Sequence, residues 1–338
     1  MADSSEALKH ELEAFLTARA GSIATVSRAK PLAGGGSMET WAIDVCIAGT
    51  ESQLVLRRDM GANMFAGALT RAQEFELLNI AHAHGVMAPR ARFLNTESAR
   101  TYFLMERLSG EGIGRKIVKL PELATARQRL TAQMGEQLAH IHVIPLNDAV
   151  AFLSRPAVGK TPAAMALDMI RDAMATAARD NPAWEYGLRW LTQRAPQPSG
   201  PLTVVHGDFR IGNLLVTADG LSGVLDWEFA HIGDPLEDLA WPMVRDWRFE
   251  NDALPVGGVG QIDDFLAAYE SAGGRRIERA ALKWWEVVGN LRWAVFCHAQ
   301  ADRHLSGRDR SVELASLGRK ASEMEWELID LIHREETR

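Results

Sequence analysis

The chain has 338 residues, of which 47% are hydrophobic and 24% charged, and its formal net charge is -7 at pH 7. This composition is typical of a globular protein and excludes a collagen-like or largely disordered chain, while the acidic balance argues against nucleic-acid binding. The sequence has no apolar run near the ~18 residues of a membrane helix and no signal-peptide pattern. Its two cysteines, Cys46 and Cys297, are far apart. We therefore expect a reduced, cytoplasmic protein without a disulfide framework or a membrane partner.

The first hundred residues are predicted to form strands with two helices. Trp41, Ile43 and Val45 alternate strictly with less apolar residues, which predicts a strand within residues 32–45. The segment QLVLR, residues 53–57, predicts a second strand, and the turn residues between the two predict a hairpin. The other elements predicted here are helices at residues 8–20 and 70–84 and a strand at residues 101–105.

The remainder of the chain is predicted to be mainly helical. Apolar residues recur at helical spacing in six segments: residues 123–143, 161–179, 184–194, 261–272, 279–304 and 311–333. Three short strands are predicted among them, at residues 203–205, 214–216 and 223–225. The sequence thus predicts an α+β fold of two lobes. Its small β-rich N-terminal lobe spans residues 1–106, its hinge lies at about 106–112, and its larger helical C-terminal lobe spans residues 107–338.

The segment that indicates chemistry is VVHGDFRIGNLLVTADGLSGVLDWE, residues 204–228. Asp208 is followed five residues later by Asn213, and a predicted hairpin then leads to Asp226. This arrangement is typical of a kinase active site, in which the first aspartate orients the attacking hydroxyl and accepts its proton. The asparagine and the second aspartate supply oxygen ligands to Mg²⁺. Each element alone is common in structural turns, but their combination favours catalysis.

Residues before this segment supply the expected nucleotide contacts. Gly34, Gly35, Gly36 and Ser37 lie between two predicted strands, where a glycine-rich loop allows backbone N–H groups to approach phosphates. Arg57 occupies the place of the kinase strand lysine and can hold phosphates as a planar fork.

Arg58 and Glu74 are further candidates for the nucleotide site, and Met105 and Glu106 are candidates for a contact at the hinge. Arg58 is the neighbouring candidate for the phosphates, although strand alternation puts it on the opposite face from Arg57. Glu74, on the following helix, is either the ion-pair partner of Arg57 or an ordinary exposed residue. Met105 and Glu106 end an apolar strand where the hinge would meet the nucleotide base.

These motifs resemble the aminoglycoside-phosphotransferase-like family, whose members share the protein-kinase fold. The resemblance covers roughly residues 25–333. It rests on three segments: HGDxxxxN at residues 206–213, LDWE at 225–228 and GDPLEDLA at 233–240. HGDFRIGN and the VLRR at residues 55–58 resemble the subgroup found beside or fused to acyl-CoA dehydrogenases. The resemblance implies a kinase that uses ATP or GTP with Mg²⁺ and phosphorylates a hydroxyl of a small molecule.

Two further residues of the motif are expected to act in the site. His206 is expected to brace the catalytic turn through hydrogen bonds rather than to transfer protons. Arg210, two residues after the expected base, either holds an acidic group of the substrate or attaches the loop to a neighbouring acid.

The acceptor is expected to lie between the catalytic turn and the C-terminal helices. Residues 275–320 carry ten Lys or Arg and five Asp or Glu, with Arg292, Arg303 and Arg308 among them. This balance favours an anionic, hydroxyacyl-type substrate over a polycationic aminoglycoside, although it is equally compatible with ordinary surface charge. Two more hypotheses fit the sequence: a catalytically silent nucleotide-binding domain, and a kinase whose acceptor is a protein side chain. No pattern indicates an oligomeric state.

Overall fold

The computed structural model describes residues 2–32, 38–59, 67–177, 179–198 and 200–337. Its first part contains a five-stranded antiparallel sheet in the order β1-β2-β3-β5-β4. The strands are β1 (Ala24–Pro31), β2 (Met38–Ile47), β3 (Thr50–Asp59), β4 (Ala91–Asn95) and β5 (Tyr102–Glu106). Two helices accompany them, α1 (Ala2–Ala20) and α2 (Arg71–Ala83). The predicted hairpin is confirmed, because β2 pairs with β3 across a tight turn; β1 and β4 were not predicted.

The second part is mainly helical, so the predicted α+β class is confirmed. Its helices are α3 (Gly114–Lys119), α4 (Ala124–His142), α5 (Pro162–Ala177), α6 (Pro182–Gln193), α7 (Pro235–Ala240), α8 (Ile262–Ser271), α9 (Arg279–Leu305) and α10 (Val312–Glu336). Its strands are β6 (Thr203–Val205), β7 (Leu214–Thr217), β8 (Gly220–Val224) and β9 (His231–Gly233). Strand β8 begins before the predicted residues 223–225 and ends one residue earlier, and β9 pairs with β6 although the sequence predicted no strand there.

The five-stranded sheet is covered on both faces. Leu8, Leu12 and Leu16 of α1 are buried against one face, together with Ile43. The other face packs on α2, and its buried residues continue without a break into the core of the helical part. Burial on both faces leaves β3 as a rigid support in the middle of the sheet.

The position of β3 decides which arginine faces which helix. Arg57 lies on the α2 side, while Arg58 lies on the α1 side and pairs with Glu11 and Glu39. The alternation predicted from the sequence is confirmed. Arg58 is thus occupied by an ion-pair network on the face away from α2.

Several features of the described residues bear on the sequence predictions. None of the described helices is long and apolar enough to cross a membrane. Both cysteines have free thiols. Gly34, Gly35, Gly36 and Ser37 lie outside the described residues, so their predicted phosphate contacts stay a prediction, as does the hinge at 106–112.

Candidate active site

The turn that follows β6 is held by a buried aspartate of helix α7. The carboxylate of Asp238 accepts the backbone N–H of His206 at 2.6 Å and that of Gly207 at 2.9 Å. A ring nitrogen of His142 lies 3.2 Å from the same carboxylate. Burial alone would raise the pKa of Asp238, but these hydrogen bonds and the two histidines outweigh it, so its pKa is lowered. A fully buried, ionised carboxylate therefore fixes the backbone just before Asp208.

Gly207 gives this turn its direction. Its φ of +83° lies in the left-handed region, and a β-carbon here would overlap the carbonyl oxygen of Phe229. The glycine is thus required both by the backbone conformation and by the approach of the segment that follows Asp226.

We expect Gly207→Ala to lower the free energy of unfolding and to reduce any activity that depends on the position of Asp208. The left-handed conformation alone costs about 1–2 kcal/mol for alanine, and the overlap with Phe229 adds to it. Denaturant unfolding of the variant measures this loss. Gly49→Ala is the matched control, because Gly49 also has a positive φ of +81° but open space around it. Equal losses in the two variants would contradict a special role for Gly207.

His206 braces the turn rather than facing an open space. Its Nε2 lies 3.1 Å from the carbonyl oxygen of Leu225, and its Nδ1 accepts the backbone N–H of Asp208 at 3.3 Å. Burial lowers the pKa of His206 despite the aspartates around it, so the ring is neutral. Both ring nitrogens are occupied, which favours the expected bracing role over proton transfer.

Asp208 receives hydrogen bonds on both carboxylate oxygens. Its Oδ2 accepts from Nδ2 of Asn213 at 2.6 Å, and its Oδ1 accepts from Nε1 of Trp241 at 2.6 Å. Nε of Arg210 lies 3.2 Å and 3.3 Å from the two oxygens. The guanidinium of Arg210 also lies 4.7 Å from the ring centre of Trp247. Of the two roles expected for Arg210, the structure shows the attachment to a neighbouring acid, and this acid is Asp208 itself.

The hairpin β7–β8 brings the two expected metal ligands together. The N–H of Leu225 donates to the carbonyl of Asn213 at 2.8 Å, so Asp226 follows directly on a backbone link to Asn213. Asp226 has a φ of 68°, a conformation that aspartate and asparagine adopt more readily than other residues with a side chain. Such strained positions concentrate at functional sites.

Arg57 joins Asp226 to helix α2. Its Nη2 lies 3.0 Å from Asp226, and its Nε lies 3.2 Å from Glu74. Burial alone would raise the pKa of Asp226, but Arg57 outweighs it and the pKa is lowered. Glu74 is buried, so of its two interpretations the structure shows the ion pair and not an exposed residue.

A second arginine lies behind this pair. Arg71 is fully buried, contacts the carboxylate of Glu74 and lies 3.1 Å from Asp59. Burial, with the nearby charge of Arg57, lowers the pKa of Arg71 to about 10. Glu74 therefore faces two guanidinium groups, which hold α2 against β3. The sequence places Arg71 on the helix face that carries Phe75 and Leu78, but it did not predict this role, because an arginine in the first turn of a helix is ordinarily solvated.

Met105 and Glu106 end strand β5 as predicted. Met105 is buried, while the side chain of Glu106 is partly exposed and pairs with Arg92 at 3.0 Å. The backbone N–H of Glu106 donates to the carbonyl of Arg90 at 2.9 Å. Their contact with a nucleotide base stays a prediction.

The fold and this arrangement define a kinase-like phosphotransferase. Residues 28–285 match the model of the phosphotransferase enzyme family, and the chain belongs to this family. It is 27% identical over 236 residues to acyl-CoA dehydrogenase family member 10 of Mus musculus, an alignment that covers 65% of this chain and 22% of that protein. The chain thus spans about a fifth of the length of this curated relative.

Two solved structures share the fold. One, from Ralstonia eutropha JMP134, is a proposed aminoglycoside phosphotransferase with a TM-score of 0.72 and 20% identity, covering 96% of this chain and 97% of that one. The other, a spectinomycin phosphotransferase in complex with ADP and spectinomycin, has a TM-score of 0.64 and 13% identity. It covers 96% of this chain and 98% of that one. These likenesses confirm the predicted kinase-like fold.

Proposed function

We propose that the protein transfers the γ-phosphoryl group of ATP or GTP to a hydroxyl of a small molecule. The observation that carries the proposal is the convergence around Asp208 and Asp226. Asn213 lies 2.6 Å from the first carboxylate, and Arg57 links the second to Glu74. Phosphoryl transfer depends mainly on in-line positioning and on neutralising charge, and this set supplies both.

The donor set fits Mg²⁺. Both hydrogen bonds of the Asn213 amide to Asp208 use its nitrogen, which leaves the amide oxygen as the ligand atom. Asp226 adds a carboxylate held in its ionised form. The described residues contain no group of three or more His, Cys, Asp or Glu that could hold a metal ion, so the protein would supply only these two ligands. Two oxygen ligands suit Mg²⁺, which keeps several waters and takes the remaining contacts from phosphates. When bound, the ion would neutralise charge on the transferred phosphoryl group.

In the proposed reaction, Asp208 acts on the acceptor hydroxyl and Arg57 acts on the phosphates of the nucleotide. The hydroxyl oxygen of the acceptor forms a bond to the γ-phosphorus, and Asp208 accepts the proton that this hydroxyl loses. The bond between that phosphorus and the bridging oxygen breaks, and the nucleoside diphosphate leaves with the electron pair. Arg57 lies at Asp226 and can hold the phosphates as a two-pronged cation.

The charges beside the base disfavour a polycationic acceptor, which leaves the anionic, hydroxyacyl type as the proposed class. Arg210 contacts Asp208, and Arg292 donates to the carbonyl of Gly207 at 2.8 Å. The nearby carboxylates are already paired: Glu237 with Arg292, and Asp246 with Lys320. A polycationic antibiotic requires carboxylates that are available for its ammonium groups. The name of the acyl-CoA dehydrogenase relative points in the same direction.

A catalytically silent nucleotide-binding domain is the second candidate function. A module that only binds nucleotide needs Asn213, Asp226 and Arg57 but has no use for Asp208. The three donors on the Asp208 carboxylate, from Asn213, Arg210 and Trp241, fix it in one orientation. A base that is held in one orientation by three donors favours an active enzyme.

An acceptor panel tests the proposal. With Mg·ATP as the donor, we expect the protein to phosphorylate at least one hydroxyacyl compound and no aminoglycoside. Release of ADP and mass spectrometry of the acceptor measure the transfer. Asp208→Ala is the control for contaminating kinases. Transfer to the aminoglycoside alone would overturn the substrate class, and a protein that binds Mg·ATP but transfers to nothing would overturn the enzymatic proposal.

A further inference from the structure

The indole N–H of Trp241 reaches the carboxylate of the proposed base. Trp241 follows directly on α7, and its Nε1 donates to Oδ1 of Asp208 at 2.6 Å. The side chain is almost completely buried, at 5% exposure. Hydrogen bonds to a charged acceptor are shorter and stronger than neutral ones, and this is the shortest contact made to Oδ1 of Asp208 by the described residues.

The indole ring is held in place from several sides. The guanidinium of Arg292 lies 4.4 Å from its ring centre, and Trp247 and Trp293 pack against it with ring centres at 5.6 Å and 6.3 Å. Gly289 of α9 lies beside the ring, since a β-carbon built there would be 3.4 Å from it, an ordinary van der Waals distance. A close-packed ring of this kind has one accessible orientation.

Arg292 connects this ring to the backbone of the catalytic turn. The same guanidinium that stacks on Trp241 donates to the carbonyl oxygen of Gly207 at 2.8 Å and to Glu237 at 2.8 Å. Arg292 of α9 therefore contacts two groups next to Asp208: the carbonyl group of the preceding residue and the indole that holds its carboxylate.

We infer that Trp241, locked by Arg292, is a positioning residue that fixes the orientation of the Asp208 carboxylate. The inference rests on the proposed function. Rotation about the last torsion of an aspartate is broad, so a single orientation requires donors on both oxygens. Asn213 holds Oδ2 at 2.6 Å, whereas without Trp241 only the longer contact to Arg210 at 3.2 Å would hold Oδ1. A carboxylate free to turn presents its oxygen to the acceptor hydroxyl for a smaller fraction of the time.

Trp241→Phe tests the inference because it keeps most of the ring and removes the N–H. With Mg·ATP and water as the acceptor, we expect phosphate release to fall roughly 10- to 100-fold in kcat, with the KM for ATP unchanged. Trp285→Phe is the matched control. Trp285 is equally buried on α9, but among the described residues its Nε1 has no hydrogen-bond partner. Equal kcat values for Trp241→Phe and the wild type would overturn the inference, as would a loss that appears only in KM.

A spectroscopic measurement keeps the test independent of folding in the tryptophan variant. In ¹⁵N-indole-labelled protein, we expect one N–H resonance at low field that disappears in Trp241→Phe and shifts upfield in Asp208→Ala, which leaves Trp241 in place. Failure of that resonance to move in Asp208→Ala would overturn the inference whatever the kinetics show. If the wild type transfers phosphate neither to water nor to any acceptor of the panel, the proposed function fails, and the indole resonance alone then decides whether Trp241 holds Asp208.

Discussion

Asp208→Ala is expected to lower phosphoryl transfer by ~10²–10⁴-fold while leaving the affinity for Mg·ADP nearly unchanged. The proposed base is the Asp208 carboxylate, because the buried His206 has both ring nitrogens occupied and, unlike a carboxylate oxygen, neither has a further lone pair to accept a proton from an incoming hydroxyl. Of the expected metal ligands, Asn213 keeps its hydrogen bond to the backbone carbonyl of residue 208 and Asp226 is not touched, so nucleotide binding should survive. Transfer is measured with the acceptor that the panel identifies, and affinity by titration calorimetry.

The control for this variant lies on the hairpin that follows the turn. Asp219 is an exposed aspartate in the turn between β7 and β8, and Asp219→Ala removes the same carboxyl group without touching the site. We expect it to keep the wild-type rate. A transfer rate in Asp208→Ala close to that of Asp219→Ala would show that Asp208 is not the base.

The residues that the sequence identified are those whose relations are local in the chain. Asp208 and Asn213 are five positions apart, and the hairpin after them carries Asp226 back to the same place, so a motif encodes their proximity. The pairing of Arg57 with Glu74 was one of two interpretations that the sequence left open, and the structure shows the ion pair.

The supporting residues could not be identified in the same way. Asp238 and Trp241 contact the turn from about thirty residues further along the chain, and Arg292 does so from α9. Their side chains are common as core or surface residues, and only tertiary packing reveals their partners. Asp238 did belong to a recognised segment, GDPLEDLA, but the sequence did not show that it holds the backbone of the turn.

The charge balance of residues 275–320 does not show which of its arginines lie near the catalytic turn. Of the three arginines singled out in residues 275–320, only Arg292 reaches the catalytic turn. Arg303 pairs with Asp309, and Arg308 donates to Ser306, both close by in the sequence near the end of α9. A count of charges along the chain does not distinguish arginines at a helix end from arginines at a site, because it does not show which way each side chain points in the fold.

Edge strands were missed for a physical reason. Strand β1 buries only two of its eight residues, and β4 is a five-residue strand at the other edge of the sheet. An edge strand with one mostly exposed face lacks the apolar alternation that indicated β2. The central strands, which carry the site, were the ones that the sequence predicted.

Asp226→Asn is expected to abolish Mg²⁺-dependent nucleotide binding, with a loss of more than ~100-fold in affinity. Mutation of a residue that only supports a metal ligand commonly changes metal affinity 10- to 100-fold, and here the proposed carboxylate ligand itself would become neutral. The substitution also removes the ionised partner of Arg57 at 3.0 Å, so this guanidinium would be held by Glu74 alone. Asparagine tolerates the left-handed backbone at φ 68° as well as aspartate does, which keeps the fold intact.

Calorimetric titration with ADP, in the presence and absence of Mg²⁺, measures the effect. We expect the wild type to bind far more tightly with the ion and the variant to show the same weak binding under both conditions. Asp252→Asn is the matched control, since Asp252 also pairs with an arginine, Arg245, but on the protein surface. Because Asp226 faces Arg57 as well as the site, a variant that lost affinity equally with and without Mg²⁺ would assign Asp226 to the orientation of Arg57 and not to the metal.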